Sequence, residues 1–308
     1  MIALLKKRLM KFWRTTKFRL KDFKSPLVVF MFVLLVIECA SLVYGLYWGF
    51  ICSLKSINNY MEDVFGWPWE FRWSNYSMIY NKFYYQIFTE TGYKRVLFPT
   101  LLLNSLLYAT LPEFIKVFCF ASVAYVVNKY RFKFNKVMTG IVLFTMIFPQ
   151  AGSIGASLTF LKDIGFYDNY WALLYGNIIF ADFQYLIWAG TWQGVDNGYM
   201  EAARIDGASE LQIMLFIMFP LARVTFMIYL ILGFIGGWNN YGIPLITMPS
   251  MPNLALALYQ FEQNSVNAIS WPPFRLAATY LVAIPCVVLY LIVEPYLVGN
   301  LTIGGLKG

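Results

Sequence analysis

Six mostly apolar stretches run along the chain, at about 27–54, 97–127, 137–160, 170–194, 221–247 and 274–298, each bounded by polar or charged segments. About 20 apolar residues cross the hydrocarbon core of a bilayer as an α-helix. Each stretch therefore predicts a span, and the predicted fold class is all-α: a polytopic membrane protein of six transmembrane helices. The longest polar interval is 55–96. A second interval, "YMEAARIDGASELQIMLFIMFP" from Tyr199 to Pro220, separates the fourth span from the fifth and has a helical rather than a loop-like composition.

Composition agrees with the pattern. Of 308 residues, 59% are hydrophobic and 13% charged, against roughly 25% charged in a soluble domain. The net charge of +8 is unevenly spread, so it does not itself point to nucleic acid. The absence of histidine removes His-based acid–base chemistry and His metal sites. Cys39, Cys52, Cys119 and Cys286 are scattered with no CxxC, so neither a metal centre nor a redox pair is expected.

Lysine and arginine placement sets an expected orientation. Residues 1–25 carry nine basic side chains against Asp22 alone, and the short connection "NKYRFKFNK" carries four with no acid. The 55–96 interval has five basic and four acidic residues. The positive-inside rule then places both termini, and the segment at 199, in the cytoplasm. The first apolar run is too long for a signal-peptide core and has no clean small-residue cleavage site after it. The Trp- and Tyr-dense "MEDVFGWPWEFRWSNYSMIY" suits either an interfacial belt or a docking surface. Glu38, Glu113, Lys116, Asp182 and Glu294 fall in or beside predicted spans, where each must face protein or water. Glu113 and Lys116, three apart, can pair on one helix face, with Pro112 expected to kink that helix. Asp182 has no local basic partner and must pair across helices or line a cavity.

In the 199–220 interval, 199–206 and 209–218 read as short helices. Gly207 lies between them, where a reversal needs a residue that tolerates positive φ. Ser209 is placed to cap the second helix, with Glu210 in its first turn. Ala202 and Ala203 keep one side small, and Glu201, Arg204 and Asp206 ring it with polar groups. Two readings remain open on physics alone: a knob that seats in a cytoplasmic partner, and an amphipathic connector lying on the bilayer.

"EAARIDGAS", followed by "FP" at Phe219–Pro220, resembles the EAA signature of ABC importer permeases. Asn104–Ser105, Ala124–Tyr125, Arg131–Phe132, Phe148–Pro149, Trp238–Asn239 and the terminal "LTIGGLKG" resemble the carbohydrate, maltose-permease branch of that family, in collinear order over about residues 70–308. The chain departs from the family pattern with Gly198 where a proline is usual, Phe219 where leucine is usual, and a Gly-rich "QAGSIGASLTF". The resemblance implies three segments: a basic cytoplasmic one (1–26), a six-helix permease domain (27–298) with an extracytoplasmic loop at 55–96, and a cytoplasmic tail (299–308). It also implies a coupling helix within 195–220 that docks on an ATPase through Glu201, Ala202, Ala203, Asp206 and Gly207, with Gly304–Gly308 reaching toward the ATPase dimer. Implied partners are a second permease, two ATPase subunits carrying ATP-Mg, an extracytoplasmic solute-binding protein, and a sugar or oligosaccharide, in a bacterial cell membrane. The chain has no G-x-x-x-x-G-K-[ST] loop to cradle ATP phosphates, so it is expected to be a transport subunit, without cofactor or metal of its own, rather than an enzyme. Trp238, Asn239 and Asn240 are the candidate path lining. The alternatives are a permease for a non-sugar solute and a proton-coupled secondary transporter.

Overall fold

The computed structural model describes residues 26–89, 92–147, 153–175, 182–263 and 271–301. The basic N-terminal segment, Phe148–Pro149 and the Gly304–Gly308 tail lie outside them. The order is α1 (Pro26–Ser53), α2 (Ile57–Glu62), α3 (Ser74–Lys82), β1 (Tyr84–Thr89), β2 (Gly92–Leu97), α4 (Phe98–Lys129), α5 (Asn135–Ile147), α6 (Ser153–Asp163), α7 (Ala172–Tyr175) and α8 (Phe183–Gly194). Then come α9 (Gly198–Ile205), α10 (Glu210–Leu221), α11 (Arg223–Trp238), α12 (Gly242–Thr247), α13 (Leu254–Gln263) and α14 (Pro272–Leu301).

The chain is mainly helical, with one addition to the expected all-α class. β1 and β2 form an antiparallel hairpin pairing Tyr84 with Leu97 through Thr89 with Gly92. Its strands are rich in Tyr, Ile, Phe, Val and Thr, which favour extended backbone. The backbone of Gln86 on β1 exchanges hydrogen bonds with the Gln260 amide of α13, at 3.0 and 3.3 Å, so a side chain covers that edge.

Among the described residues, three helices are long and apolar enough to cross a membrane by themselves: α1, α4 and α14. A fourth crossing is available if α10 and α11, bent 76° at Ala222, count as one. The other expected spans are described in part. α5 and α6 flank 148–152, α7 and α8 flank 176–181, and α11 ends at Trp238 before α12 begins. α4 continues through Pro112 as one helix.

α4 organises the interior. It packs along α8 and α11, and α14 packs against α1, α3 and α11. Two buried clusters occupy its opposite ends. One joins Val117–Val127 to Trp188, Trp192, Met200, Ala203, Ile213 and Phe219. The other joins Leu101 and Ala109 to Trp238, Leu254, Ala257, Phe274 and Ala277. Between them Pro112, Glu113 and Lys116 border an open space. Gly237 permits the α4–α11 approach: a Cβ there would lie 2.6 Å from the Tyr108 carbonyl oxygen. Small residues serve this role between membrane helices, where van der Waals contact rather than water exclusion drives packing.

In the 55–96 interval the buried Lys55 ammonium donates to the carbonyls of Asp63 and Val64, at 2.5 and 3.2 Å. That contact folds the loop back over the end of α1. Phe65, Trp67, Trp69 and Trp73 stay exposed, and Tyr47 of α1 meets Trp67 edge-on at 6.2 Å. The aromatic ridge thus continues α1, whose apolar stretch is unburied, as an interfacial belt would.

Asn104 ties α4 to the α12–α13 connection. Its amide donates to the Pro252 carbonyl at 2.7 Å and its oxygen accepts from the Tyr170 hydroxyl at 3.0 Å. Ser105 Oγ accepts the Leu254 N–H at 2.7 Å. Asn104→Ala leaves a buried carbonyl unpaired, a loss of about 1–3 kcal/mol. Thermal unfolding in detergent should show a lower midpoint for this variant, and an unchanged midpoint would contradict the assignment.

Candidate functional site

Two features stand out: the reversal between α8 and α11, and the open space beside α4.

The reversal is held rigidly from inside. Asp196 Oδ1 accepts the Gly198 N–H at 2.6 Å, where the residue usual in the resembled family has no N–H to give. Lys129, the last residue of α4, donates to the Val195 carbonyl at 2.5 Å and to Asn197 Oδ1 at 2.8 Å. α9 then runs from Gly198 to Ile205. The Ala208 N–H returns to the Ala203 carbonyl at 3.0 Å, and Gly207 takes φ +83°. This is the left-handed position at which glycine closes a helix without strain. Ser209 and Gln212 form a reciprocal cap on α10, with Ser209 N donating to Gln212 Oε1 at 2.8 Å. Ile213–Met218 is π-wound.

A clamp crosses the bend. Arg204 Nε and Nη2 donate to Glu210 Oε1 and Oε2 at 2.8 and 3.1 Å, and the Tyr130 hydroxyl donates to the same carboxylate. The Arg204 hydrogen bond, then that from Tyr130, holds the Glu210 carboxyl below the usual carboxylate range. Local patterns do not reveal the parts played by Lys129 and Tyr130, because these lie at the end of α4 and just past it, roughly 70 residues from the bend. The Arg204–Glu210 pair was legible in principle, since a reversal at Gly207 brings residues on either side of it together.

The five residues singled out for docking do not share one surface. Glu201, Ala202, Asp206 and Gly207 are exposed, whereas Ala203 is buried in the chain's own core with Met200. The smallness of Ala203 lets α9 sit close over Trp192 and Ile213. Ile205, 86% exposed, projects outward beside Asp206. Phe219, which occupies the family's leucine position, stacks on Trp192 with centroids 5.8 Å apart and also meets Phe226 and Phe118. Each such pair adds about 0.5–1.5 kcal/mol, so the substitution builds an aromatic core under the bend.

The open space is a cavity of 680 Å³ among α4, α6, α7, α8, α11 and α12. Lys116 reaches across it to Asp182, Nζ to Oδ2 at 3.2 Å. Lys116 therefore joins Asp182 on another helix, where sequence spacing had offered it Glu113. Asp182 also caps α8, its Oδ1 accepting the Phe183 N–H at 2.6 Å. Glu113 lies against Gly233, where a Cβ would overlap its side chain. Of the expected lining residues, Asn240 borders the cavity. Asn239 is exposed and donates to the Ile235 carbonyl. Trp238 is 1% exposed and donates to the Val282 carbonyl at 3.0 Å, so it serves packing between α11 and α14. No sequence signal separated a packing Trp from a lining one there.

The family described as binding-protein-dependent transport system inner membrane component matches over residues 118–298. The chain is 28% identical over 235 residues to the trehalose/maltose transport system permease protein MalG of Thermococcus litoralis, covering 71% of this chain and 82% of that one. It is 25% identical over 280 residues to the sn-glycerol-3-phosphate transport system permease protein UgpE of Yersinia pestis, covering 90% and 97%. Its fold is that of a chain in a bacterial ABC transporter involved in import of the acidic polysaccharide alginate, with TM-score 0.73, 24% identity and coverage of 89% and 99%.

A carboxyl with a depressed folded pKa contributes stability that is present above its unfolded pKa and lost as pH falls through the folded one. Protection of the 207–212 amides against hydrogen exchange should therefore persist through the ordinary carboxylate range and be lost only as pH falls below it. Glu210→Gln should show the low protection at every pH. Equal protection of parent and variant at pH 7 would contradict the clamp.

Proposed function

The chain belongs to the family of binding-protein-dependent transport system inner membrane components, and from that premise we infer that it is the permease subunit of an ATP-driven importer for a sugar or oligosaccharide. It is a multi-pass protein of the cell membrane. Its relatives' solutes support the sugar: the Thermococcus litoralis permease belongs to a trehalose/maltose transport system. The glycerol 3-phosphate relative supports a second reading, in which the cargo is a phosphorylated polyol.

The chain crosses the bilayer six times, with 1–26 and 299–308 in the cytoplasm and 55–96 outside. It pairs with a second permease to enclose the path. Two ATPase subunits bind ATP-Mg, and a solute-binding protein delivers cargo from outside. The segment 195–220 is the coupling element, presenting Glu201, Ala202, Asp206, Gly207 and the outward Ile205 to an ATPase cleft. ATP-driven closure of the ATPases moves α9 as a rigid body, tilts the spans and alternates access to the path. The observation that carries this reading is the EAA segment itself, folded as a short exposed helix braced from behind and closed by Gly207 at positive φ.

A Cβ at Gly207 meets nothing within 4 Å in this chain, so a side chain there reports on a partner and on backbone strain of about 1–2 kcal/mol. Asparagine tolerates the same backbone and serves as the strain control. Gly207→Arg should insert normally, lose the ATPase on mild-detergent purification and lose ATP-driven uptake. Gly207→Asn should retain the ATPase. If Gly207→Arg keeps both ATPase and uptake, 195–220 is not the coupling element.

A further inference from the structure

Gln184 stands on the first turn of α8, two residues after Asp182, and borders the cavity. It is 5% exposed, and its Nε2 donor is buried without a hydrogen-bond partner among the described residues. A buried amide donor left unpaired is costly, and most such groups in folded proteins have a partner. The surrounding wall is arranged for a polar guest. Lys116 and Asp182 hold each other across the space, Glu113 offers a second carboxylate, and Tyr229, stacked on Trp188 at 6.2 Å, gives an aromatic wall. A few placed polar groups in a mainly apolar cavity are the usual make-up of a small-molecule site.

We propose that this cavity is a solute subsite on this chain itself, in which Gln184 donates to a hydroxyl of an uncharged sugar unit and Glu113 accepts from another. The inference rests on the importer reading and sharpens it to neutral sugar. The charge balance carries the second half. Among the described lining residues Lys116 is the only cation, and it is already engaged by Asp182. A uronate or a phosphate ester would enter beside two carboxylates with no free cation to meet it, in a setting where like charges repel strongly. A sugar hydroxyl donates to a carboxylate and accepts from an amide with no charge to compensate.

Gly236 gives a reporter position. It lines the cavity, and a Cβ there meets nothing within 4 Å, so a cysteine side chain would stand in the open space. The test uses the purified full importer carrying Gly236→Cys. A water-soluble thiol reagent labels it, and peptide mass spectrometry reads labelling at position 236 alone. Maltotriose, trehalose and galactobiose are the neutral probes; trigalacturonate and sn-glycerol 3-phosphate are the anionic ones.

At least one neutral sugar should slow labelling while neither anion does. Adding Gln184→Leu should raise the half-protecting concentration about tenfold, the equivalent of one net hydrogen bond. Protection by an anion as effective as that by any sugar overturns the uncharged assignment. An unchanged half-protecting concentration with Gln184→Leu overturns the role of Gln184. No protection by any probe, in a complex that still imports the sugar its binding protein carries, overturns the subsite and leaves the importer reading standing. A complex without an ATPase and without uptake overturns that reading and the subsite with it.

Discussion

The hydrocarbon core has no water to satisfy a polar group, so every donor and acceptor placed there must find its partner inside the protein. Most of the internal geometry follows from that constraint. The Trp192 indole donates to the Ala121 carbonyl at 2.9 Å, and the Trp238 indole to the Val282 carbonyl at 3.0 Å. Asn104 and Ser105 anchor the α12–α13 connection, and Lys116 crosses to Asp182. Each bond fixes one element against another where apolar contact alone gives little orientation. Gln184, bordering the cavity with its donor unpaired among the described residues, departs from the same rule.

The two functional regions are linked through α4 and α8. Asp182, at the start of α8, is held by Lys116 of α4. Val195, just past its end, is held by Lys129 of α4. Trp192, in its last turn, donates to Ala121 of α4. α8 is therefore fastened to α4 along its length, roughly 18 Å at 1.5 Å per residue, with the cavity at one end and the α9 bend at the other. On the proposed mechanism, a push on α9 would reach the cavity through this braced pair. The second route, through α10 into α11, passes the 76° break at Ala222 and a π-wound turn. Irregular helix of that kind is where bending concentrates. One route is stiff and one is jointed, which is a physical basis for opening one side of a path while closing the other.

Much of this was legible in the residues. Apolar run lengths located α1, α4 and α14 to within a few positions. The positive φ of Gly207 and the cap at Ser209 followed from local chemistry, because both depend on residues within one helical turn. Local reasoning stopped where partners are distant in the chain. It paired Lys116 with Glu113 three residues away, while the structure takes it to Asp182, 66 residues on. It placed Trp238 in the path beside Asn240, although only the packing of α14 decides which face of α11 is inside. It placed Ala203 on the docking face, although the helix turns that side toward Trp192. The hairpin was missed because its aromatic strands read equally well as interfacial loop.

The central claim is that the exposed side of α9 sits in an ATPase. Ile205, the most exposed large hydrophobic residue of that helix, tests it directly. Ile205→Cys in native membranes, treated with a short bifunctional thiol–amine cross-linker and digested for mass spectrometry, should yield a peptide joined to a nucleotide-binding ATPase subunit, and that product should diminish for Gly207→Arg in the same chain. Cross-links confined to lipid amines or to this chain, with the cysteine fully accessible, would place α9 on the bilayer surface and contradict the account.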